Sequence, residues 1–87
     1  MANKRPVASL NTRDYDELLA TIREARKEKG VSQEKLSALL GQSVNYVLKI
    51  EQKDRRIDVV EFHQLATALG IDPTELFARF AKRVRSA

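Results

Sequence analysis

Residues 33–51 contain the polar side chains whose spacing says most about the function of this chain. Within them and to residue 52, helical periodicity over 43–52 divides the side chains into two faces. The face predicted to pack inward consists of Ser43, Tyr46, Val47 and Ile50. The opposite face, predicted to be exposed, consists of Val44, Asn45, Leu48, Lys49 and Gln52. Such a face is free to enter a DNA major groove, which is wide enough for one helix.

Gly41 separates this helix from a shorter predicted helix before it. Ser32 can cap a helix over 33–40, with Leu36 and Leu40 facing inward and the small Ser37 between them. A glycine in the following turn lets two helices cross at a steep angle, since it adopts backbone conformations that other residues avoid. Two short helices joined in this way describe a helix-turn-helix.

The sequence lacks the residues that catalysis or metal binding requires. It contains no cysteine, and its single histidine, His63, has no partner at a ligand spacing. There is no Gly-rich phosphate loop and no nucleophile with a plausible base, and 87 residues leave no room for a deep pocket. We therefore expect no enzymatic activity, no metal, no cofactor and no small-molecule ligand.

The composition predicts a single all-α domain. Hydrophobic residues make up 43% and charged residues 32% of the chain, with only three glycines and two prolines. The net charge of +4 favours a polyanionic partner such as nucleic acid. No apolar segment is long enough to span a membrane, and the N-terminal residues lack the apolar region of a signal peptide. We expect a cytoplasmic protein with no membrane association, a flexible basic arm over 1–13 and one domain over 14–87.

The first helix of this domain is predicted to begin at Asp14, with Glu17 completing a capping box, and to end before Gly30. Its predicted buried stripe consists of Tyr15, Leu18, Ile22 and Ala25, and Leu19 widens it. Its predicted exposed cations are Arg23, Arg26, Lys27 and Lys29.

Two further helices complete the predicted total of five. The fourth opens with the capping pair Asp58 and Glu61 and ends before Gly70, and the fifth opens with Asp72 and Pro73. The stripe of the fourth helix consists of Val59, Phe62, Leu65, Ala66 and Leu69. The apolar residues of the fifth are Leu76, Phe77, Phe80 and Val84. Because little chain is left to cover Phe80 and Val84, we expect this set to form the interface of a two-fold homodimer, although for Leu76 and Phe77 the end of the core is the better interpretation.

Three segments resemble the Cro/C1-type helix-turn-helix family of bacterial and phage regulators, also called the XRE family. They are IREARKEKGVSQEKLSALLG (22–41), VLKIE (47–51) and LATALGIDPTELF (65–77). The resemblance implies a compact five-helix domain of the lambda-repressor-like type that binds double-stranded operator DNA, usually as a symmetric homodimer.

The same resemblance implies residues for the DNA contact. Gln33 matches a glutamine that bonds a phosphate and braces the recognition helix. The positions that match phosphate or base contacts are Gln42, Ser43, Val44, Asn45 and Lys49. The loop that follows the backbone of the DNA is matched by Lys53, Arg55 and Arg56. Asn can read adenine and Lys can donate to guanine, so Asn45 and Lys49 are the first candidates for base recognition.

The sequence departs from the family pattern at several positions. Lys53 stands where glycine is common, so the end of the third helix could differ in shape. Val44, Leu48 and Leu39 are apolar at positions that are usually polar. An exposed apolar strip can read thymine methyl groups, but it can also bind a protein.

We interpret the chain as a sequence-specific transcriptional regulator, most simply a repressor. Two alternatives remain open. One is a protein-interaction module, such as an antitoxin or an adaptor, that uses Val44 and Leu48. The other is a small controller of a restriction or phage gene set, which can activate as well as repress.

Overall fold

A computed structural model of the chain describes residues 12–86. This range folds into five helices and contains no strand, which confirms the all-α prediction. The helices are α1 Arg13–Glu28, α2 Gln33–Leu39, α3 Tyr46–Glu51, α4 Val59–Ala68 and α5 Pro73–Ser86. Of the predicted N-terminal arm, residues 1–11 lie outside the described range, and Arg13 belongs to α1.

Local capping residues determine where the helices begin. Ser32 and Asp58 cap α2 and α4 as predicted, and Asp58 forms a full capping box with Glu61. The prediction for α1 was wrong, because Thr12 is the cap and its hydroxyl accepts a hydrogen bond from the Tyr15 amide at 3.1 Å. Asp14 lies within the first turn, where its negative charge interacts favourably with the positive end of the helix dipole.

Four helices end in the same way, with a residue of positive φ just beyond the helix. Gly41 and Lys53 show the pattern on both sides of α3: the φ of Gly41 is 69° and that of Lys53 is 67°. After α3, the Lys53 amide donates to the Ile50 carbonyl and the Asp54 amide to the Lys49 carbonyl, which is the Schellman arrangement. The departure from glycine at Lys53 therefore does not change the shape of the helix end.

The core lies between all five helices and is built from the predicted apolar stripes, with two corrections within the helices and with Ile57 and Ile71 added from the connecting loops. In α1, the predicted Leu18 is only half-buried, whereas Leu19, which was predicted to widen the stripe, is fully part of the core. In α4, Val59 is 78% exposed because it is the first residue of the helix and lies at the edge of the packed layer. The buried apolar residues are Tyr15, Leu19, Ile22, Ala25, Leu36, Tyr46, Val47, Ile50, Ile57, Phe62, Leu65, Ala66, Leu69, Ile71 and Leu76.

Ion pairs join α5 to α1 along their exposed sides. Arg83 binds Glu17 at 2.9 Å and Glu24 at 3.0 Å, and Arg79 binds Glu28 at 3.1 Å. Two of the C-terminal arginines are therefore neutralised by carboxylates of the same subunit, which favours a structural role for them over a contact with DNA.

Candidate nucleic-acid interface

The turn between α2 and α3 is held by a buried serine. Ser37 is fully buried, and its hydroxyl donates to the Gln33 carbonyl at 2.9 Å and accepts from the Val47 amide at 3.1 Å. The small side chain lets α3 approach α2 closely, and the positive φ of Gly41 reverses the chain between them. The predicted helix-turn-helix is thus present in the structure.

Helix α3 is shorter than predicted, because it begins at Tyr46 and not at Ser43. The Tyr46 amide donates to the Ser43 carbonyl at 3.0 Å, so the residues before it form a separate turn. Ser43 is exposed and does not belong to the inward face, which consists of Tyr46, Val47 and Ile50. The spacing of side chains is still helical through such a turn. Spacing alone therefore predicted a start of α3 that is too early in the sequence.

The exposed candidates for base contact lie at the start of α3 and along it. Val44 is 61% exposed, Asn45 and Lys49 are exposed, and Leu48 is only half-buried. Asn45 is the residue immediately before α3, and Lys49 lies one turn further along the same side. Gln42 and Ser43 are exposed in the preceding turn. The structure therefore collects five of the predicted contact residues on one surface, which we call the α3 surface: Gln42, Ser43, Val44, Asn45 and Lys49.

A buried charged network orients α3 beneath this surface. Glu51, the last residue of α3, accepts two hydrogen bonds from Arg26 at 2.8 and 3.0 Å and one from the Gln33 side-chain amide at 2.8 Å. Arg26 also donates to the Val31 carbonyl at 3.0 Å. Burial raises the pKa of Glu51, but the hydrogen bonds from Arg26 and Gln33 and the charges of Arg26 and Arg23 outweigh it and lower this pKa below its ordinary value.

This network corrects the prediction that Arg26 lies on the exposed side of α1. Arg26 is 8% exposed and Glu51 is 6% exposed. The sequence contains an indication that both residues are buried. Arg26 follows the buried Ile22 by four residues, and Glu51 follows the buried Val47 by four. Two opposite charges at positions that belong to apolar stripes indicate a buried pair. Gln33, which was predicted to brace the recognition helix, does contact it through Glu51.

The three cations predicted in the loop between α3 and α4 differ in their surroundings. Lys53 is bound to Asp16 of α1 at 2.7 Å, and Arg55 is bound to Glu61 of α4 at 2.7 Å. Arg56 is exposed and has no carboxylate partner among residues 12–86. Among residues 12–86, therefore, carboxylates pair with Lys53 and Arg55 and leave Arg56 free for a phosphate.

An apolar groove lies between α1, α4 and α5. It has a volume of about 150 Å³ and is lined by Leu18, Ile57, Val59, Phe62, Phe77 and Phe80, with Asp58 at its edge. Phe77 is 54% exposed, and its ring packs edge-on against Phe62 and Phe80 at centroid distances of 6.3 and 5.5 Å. Leu76, which was predicted in the dimer interface, is fully buried within the subunit, so it contributes no exposed surface. Val84 is half-buried.

Within residues 12–86, no group of three or more His, Cys, Asp or Glu side chains is placed to hold a metal ion. His63 is exposed on α4. No helix of this described part is long and apolar enough to cross a membrane.

A family model described as helix-turn-helix matches residues 22–76. A curated relative, an uncharacterized HTH-type transcriptional regulator named y4dJ from Sinorhizobium fredii (strain NBRC 101917 / NGR234), is 39% identical over 51 residues. The match spans 59% of this chain and 66% of that relative.

Solved structures show the same architecture. An XRE-family like protein from Pseudomonas syringae pv. tomato str. DC3000 superposes with a TM-score of 0.78 at 33% identity, covering 86% of this chain and 92% of that one. The restriction-modification controller protein C.AhdI from Aeromonas hydrophila gives a TM-score of 0.64 at 41% identity, over 72% of this chain and 96% of its own. A hypothetical transcription factor, NHTF from Neisseria, shares the fold at 24% identity with a TM-score of 0.70, covering 99% of this chain and 98% of that one.

Proposed function

The chain belongs to the XRE, or Cro/C1-type, family of helix-turn-helix transcriptional regulators, and from this premise we propose that it is a sequence-specific repressor that binds a two-fold symmetric DNA operator as a homodimer. The observation that carries the proposal is the α3 surface, in which Asn45, just before α3, and Lys49, within it, are exposed while the other side of the helix is buried. A recognition helix must combine these two properties, because base readout requires both an accessible side and a fixed orientation.

Each part of the surface has a role that fits its chemistry. The Asn45 amide can form two hydrogen bonds with adenine, and the Lys49 ammonium can donate to guanine O6 and N7. The exposed Val44 methyl groups suit a thymine methyl group. Gln33, Gln42, Ser43 and Arg56 would bind phosphates, which fixes the register of the protein on the duplex without selecting a sequence.

A homodimer would place two copies of α3 in successive major grooves, about 34 Å apart. The apolar groove around Phe77 supports this assembly, since an exposed aromatic cluster on a small domain gains stability when a second copy covers it. In a two-fold dimer the same residues of both copies meet, so Phe77 and Phe80 would lie at the centre of the contact. Val84, one turn after Phe80, would extend it.

Selection of binding sites from a random DNA library tests the proposal. The unchanged chain should enrich a palindromic motif, and Asn45→Ala and Lys49→Ala should each relax particular positions of it. Lys82→Ala is the matched control, because Lys82 is an exposed cation on α5 with no carboxylate partner in residues 12–86. Loss of one charge at Lys82 should leave the motif unchanged.

The exposed apolar residues on the helix-turn-helix support a second candidate, a module that binds a protein partner. Leu39 is 51% exposed and Val44 is 61% exposed. If selection yields weak binding without a motif, and the Asn45 and Lys49 variants behave like the unchanged chain, the result supports this second candidate instead of the repressor. Phosphate-driven binding weakens steeply as salt is added, so repeating the selection at two salt concentrations distinguishes the two classes.

A further inference from the structure

Arg55 is held on three sides by its own subunit. Its two terminal nitrogens donate to the two carboxylate oxygens of Glu61 at 3.0 and 2.7 Å, and one of them also donates to the Arg56 carbonyl at 2.8 Å. The guanidinium carbon lies 4.9 Å from the centre of the Tyr46 ring, at the start of α3. A two-pronged carboxylate contact combined with an aromatic face fixes a guanidinium more firmly than a single surface ion pair does.

Glu61, the partner of Arg55, is itself fixed. Its carboxylate accepts a hydrogen bond from the Asp58 amide at 3.0 Å, while its own amide donates to the Asp58 carboxylate at 2.7 Å. The carboxylate therefore stays beside the loop whether or not Arg55 is engaged, so a DNA phosphate would have to compete with it for the guanidinium.

We propose that Glu61 is a positioning residue that holds Arg55 in an internal clamp, so that the loop between α3 and α4 neutralises DNA phosphates through Arg56 and not through Arg55. The clamp instead ties this loop to Tyr46 at the start of α3 and to Glu61 in the first turn of α4. The inference rests on the proposed function, and it assigns opposite roles to two adjacent arginines that the sequence alone treats alike.

The test is the salt dependence of DNA affinity, because each neutralised phosphate contributes a slope of about 0.9 in log K against log salt. Because the proposed homodimer carries two copies of each residue, Arg56→Gln removes two phosphate contacts and should make the slope shallower by about 1.8. Arg55→Gln should weaken binding by loosening the loop and leave the slope unchanged. Glu61→Gln should release both copies of Arg55 toward the DNA and make the slope steeper by about 1.8.

The double variant with both Arg55→Gln and Glu61→Gln separates release of Arg55 from a general change of charge. If Glu61 acts through Arg55, the double variant returns to the slope of the unchanged chain. Glutamine keeps an oxygen that can accept the Asp58 amide, so the start of α4 is preserved, and far-ultraviolet circular dichroism verifies the helical content of each variant.

Three results would overturn the inference. One is an Arg55→Gln slope as shallow as that of Arg56→Gln, which would show that Arg55 already binds a phosphate. Another is an unchanged slope for Glu61→Gln, and the third is a double variant as steep as Glu61→Gln alone. If the unchanged chain shows no salt-dependent DNA binding, the proposed function fails together with the inference, whereas normal binding with the wrong variant slopes overturns the inference alone.

Discussion

Arg26 of α1 and Glu51 at the end of α3 form a buried ion pair in which two parallel hydrogen bonds of 2.8 and 3.0 Å join the two side chains. The Glu51 side chain is 3% exposed and that of Arg26 is 10% exposed. Gln33 of α2 shares the same carboxylate. One carboxylate therefore connects α1 to both helices of the helix-turn-helix, and the orientation of the α3 surface depends on it.

Arg26→Met should destabilise the domain by about 3–5 kcal/mol, because it leaves the Glu51 charge buried without its partner. Chemical denaturation monitored by circular dichroism measures this change. The double variant Arg26→Met with Glu51→Leu should be less destabilised than Arg26→Met alone, since no unpaired charge remains. A double variant as unstable as the single one would show that the pair matters through its shape and not through its charge.

Acid should weaken the domain through the same carboxylate. The pKa of Glu51 in the folded chain lies below the ordinary value of 4.5, so the unfolded chain binds more protons at low pH. The stability that Glu51 contributes is complete above the unfolded pKa of 4.5 and is lost as the pH falls through the lower folded pKa. Denaturation from about pH 7 to about pH 3 should show this loss.

The control for this pH dependence is a second carboxylate. The hydrogen bond from Arg55 lowers the pKa of Glu61 as well, but its side chain is 18% exposed against 3% for Glu51. Glu51→Gln should therefore flatten the pH dependence more than Glu61→Gln does. An equal effect of the two variants would contradict the special role of the buried pair.

Features of the fold that depend on neighbouring residues could be predicted from the sequence. Ser32, Gly41 and the pair of Asp58 with Glu61 mark helix ends because each acts on backbone groups only a few residues away. The apolar stripes could be predicted for the same reason, because they depend on the helical period. The prediction failed at Leu18 and Val59, since their burial depends on how the helices pack against each other.

The site was predictable in its exposed residues but not in its ion pairs. Periodicity separates Asn45 and Lys49 from the buried face of α3, yet it cannot say which cation meets which carboxylate. Arg26 and Glu51 are 25 residues apart, so their pairing depends on the tertiary fold. The same holds for Arg55, whose partner Glu61 was assigned only to a helix cap.

Ser37→Ala should lower the free energy of unfolding by about 1–3 kcal/mol, since the Val47 amide loses its buried hydrogen-bond acceptor. Hydrogen exchange provides a local measurement, in which the Val47 amide should lose protection more than other amides of α3. Thr67→Ala, at an exposed position of α4, is the control and should change stability by less than about 0.5 kcal/mol. Unchanged protection at Val47 would mean that water replaces the hydroxyl without cost.

Lys53→Gly should be about 1 kcal/mol more stable than Lys53→Ala. Both variants lose the ion pair with Asp16, so their difference isolates the cost of the left-handed backbone, where φ is 67°. Glycine adopts this conformation without a clash of its side chain, and alanine does not. Thermal unfolding of the two variants measures the difference, and equal stabilities would show that the helix end relaxes to another conformation.

Phe77→Asp should convert the proposed dimer to a monomer while the fold is kept, because this ring is 54% exposed and lines the apolar groove. Sedimentation equilibrium measures the assembly, and denaturation at a concentration where all variants are monomeric measures the fold. Val60→Asp is the matched control, since Val60 is 60% exposed on α4 but does not line the groove, and it should remain a dimer. Leu76→Ala should lose about 2–5 kcal/mol of stability, because it removes a fully buried side chain from the core. A Phe77→Asp variant that stays dimeric would place the second copy on another surface.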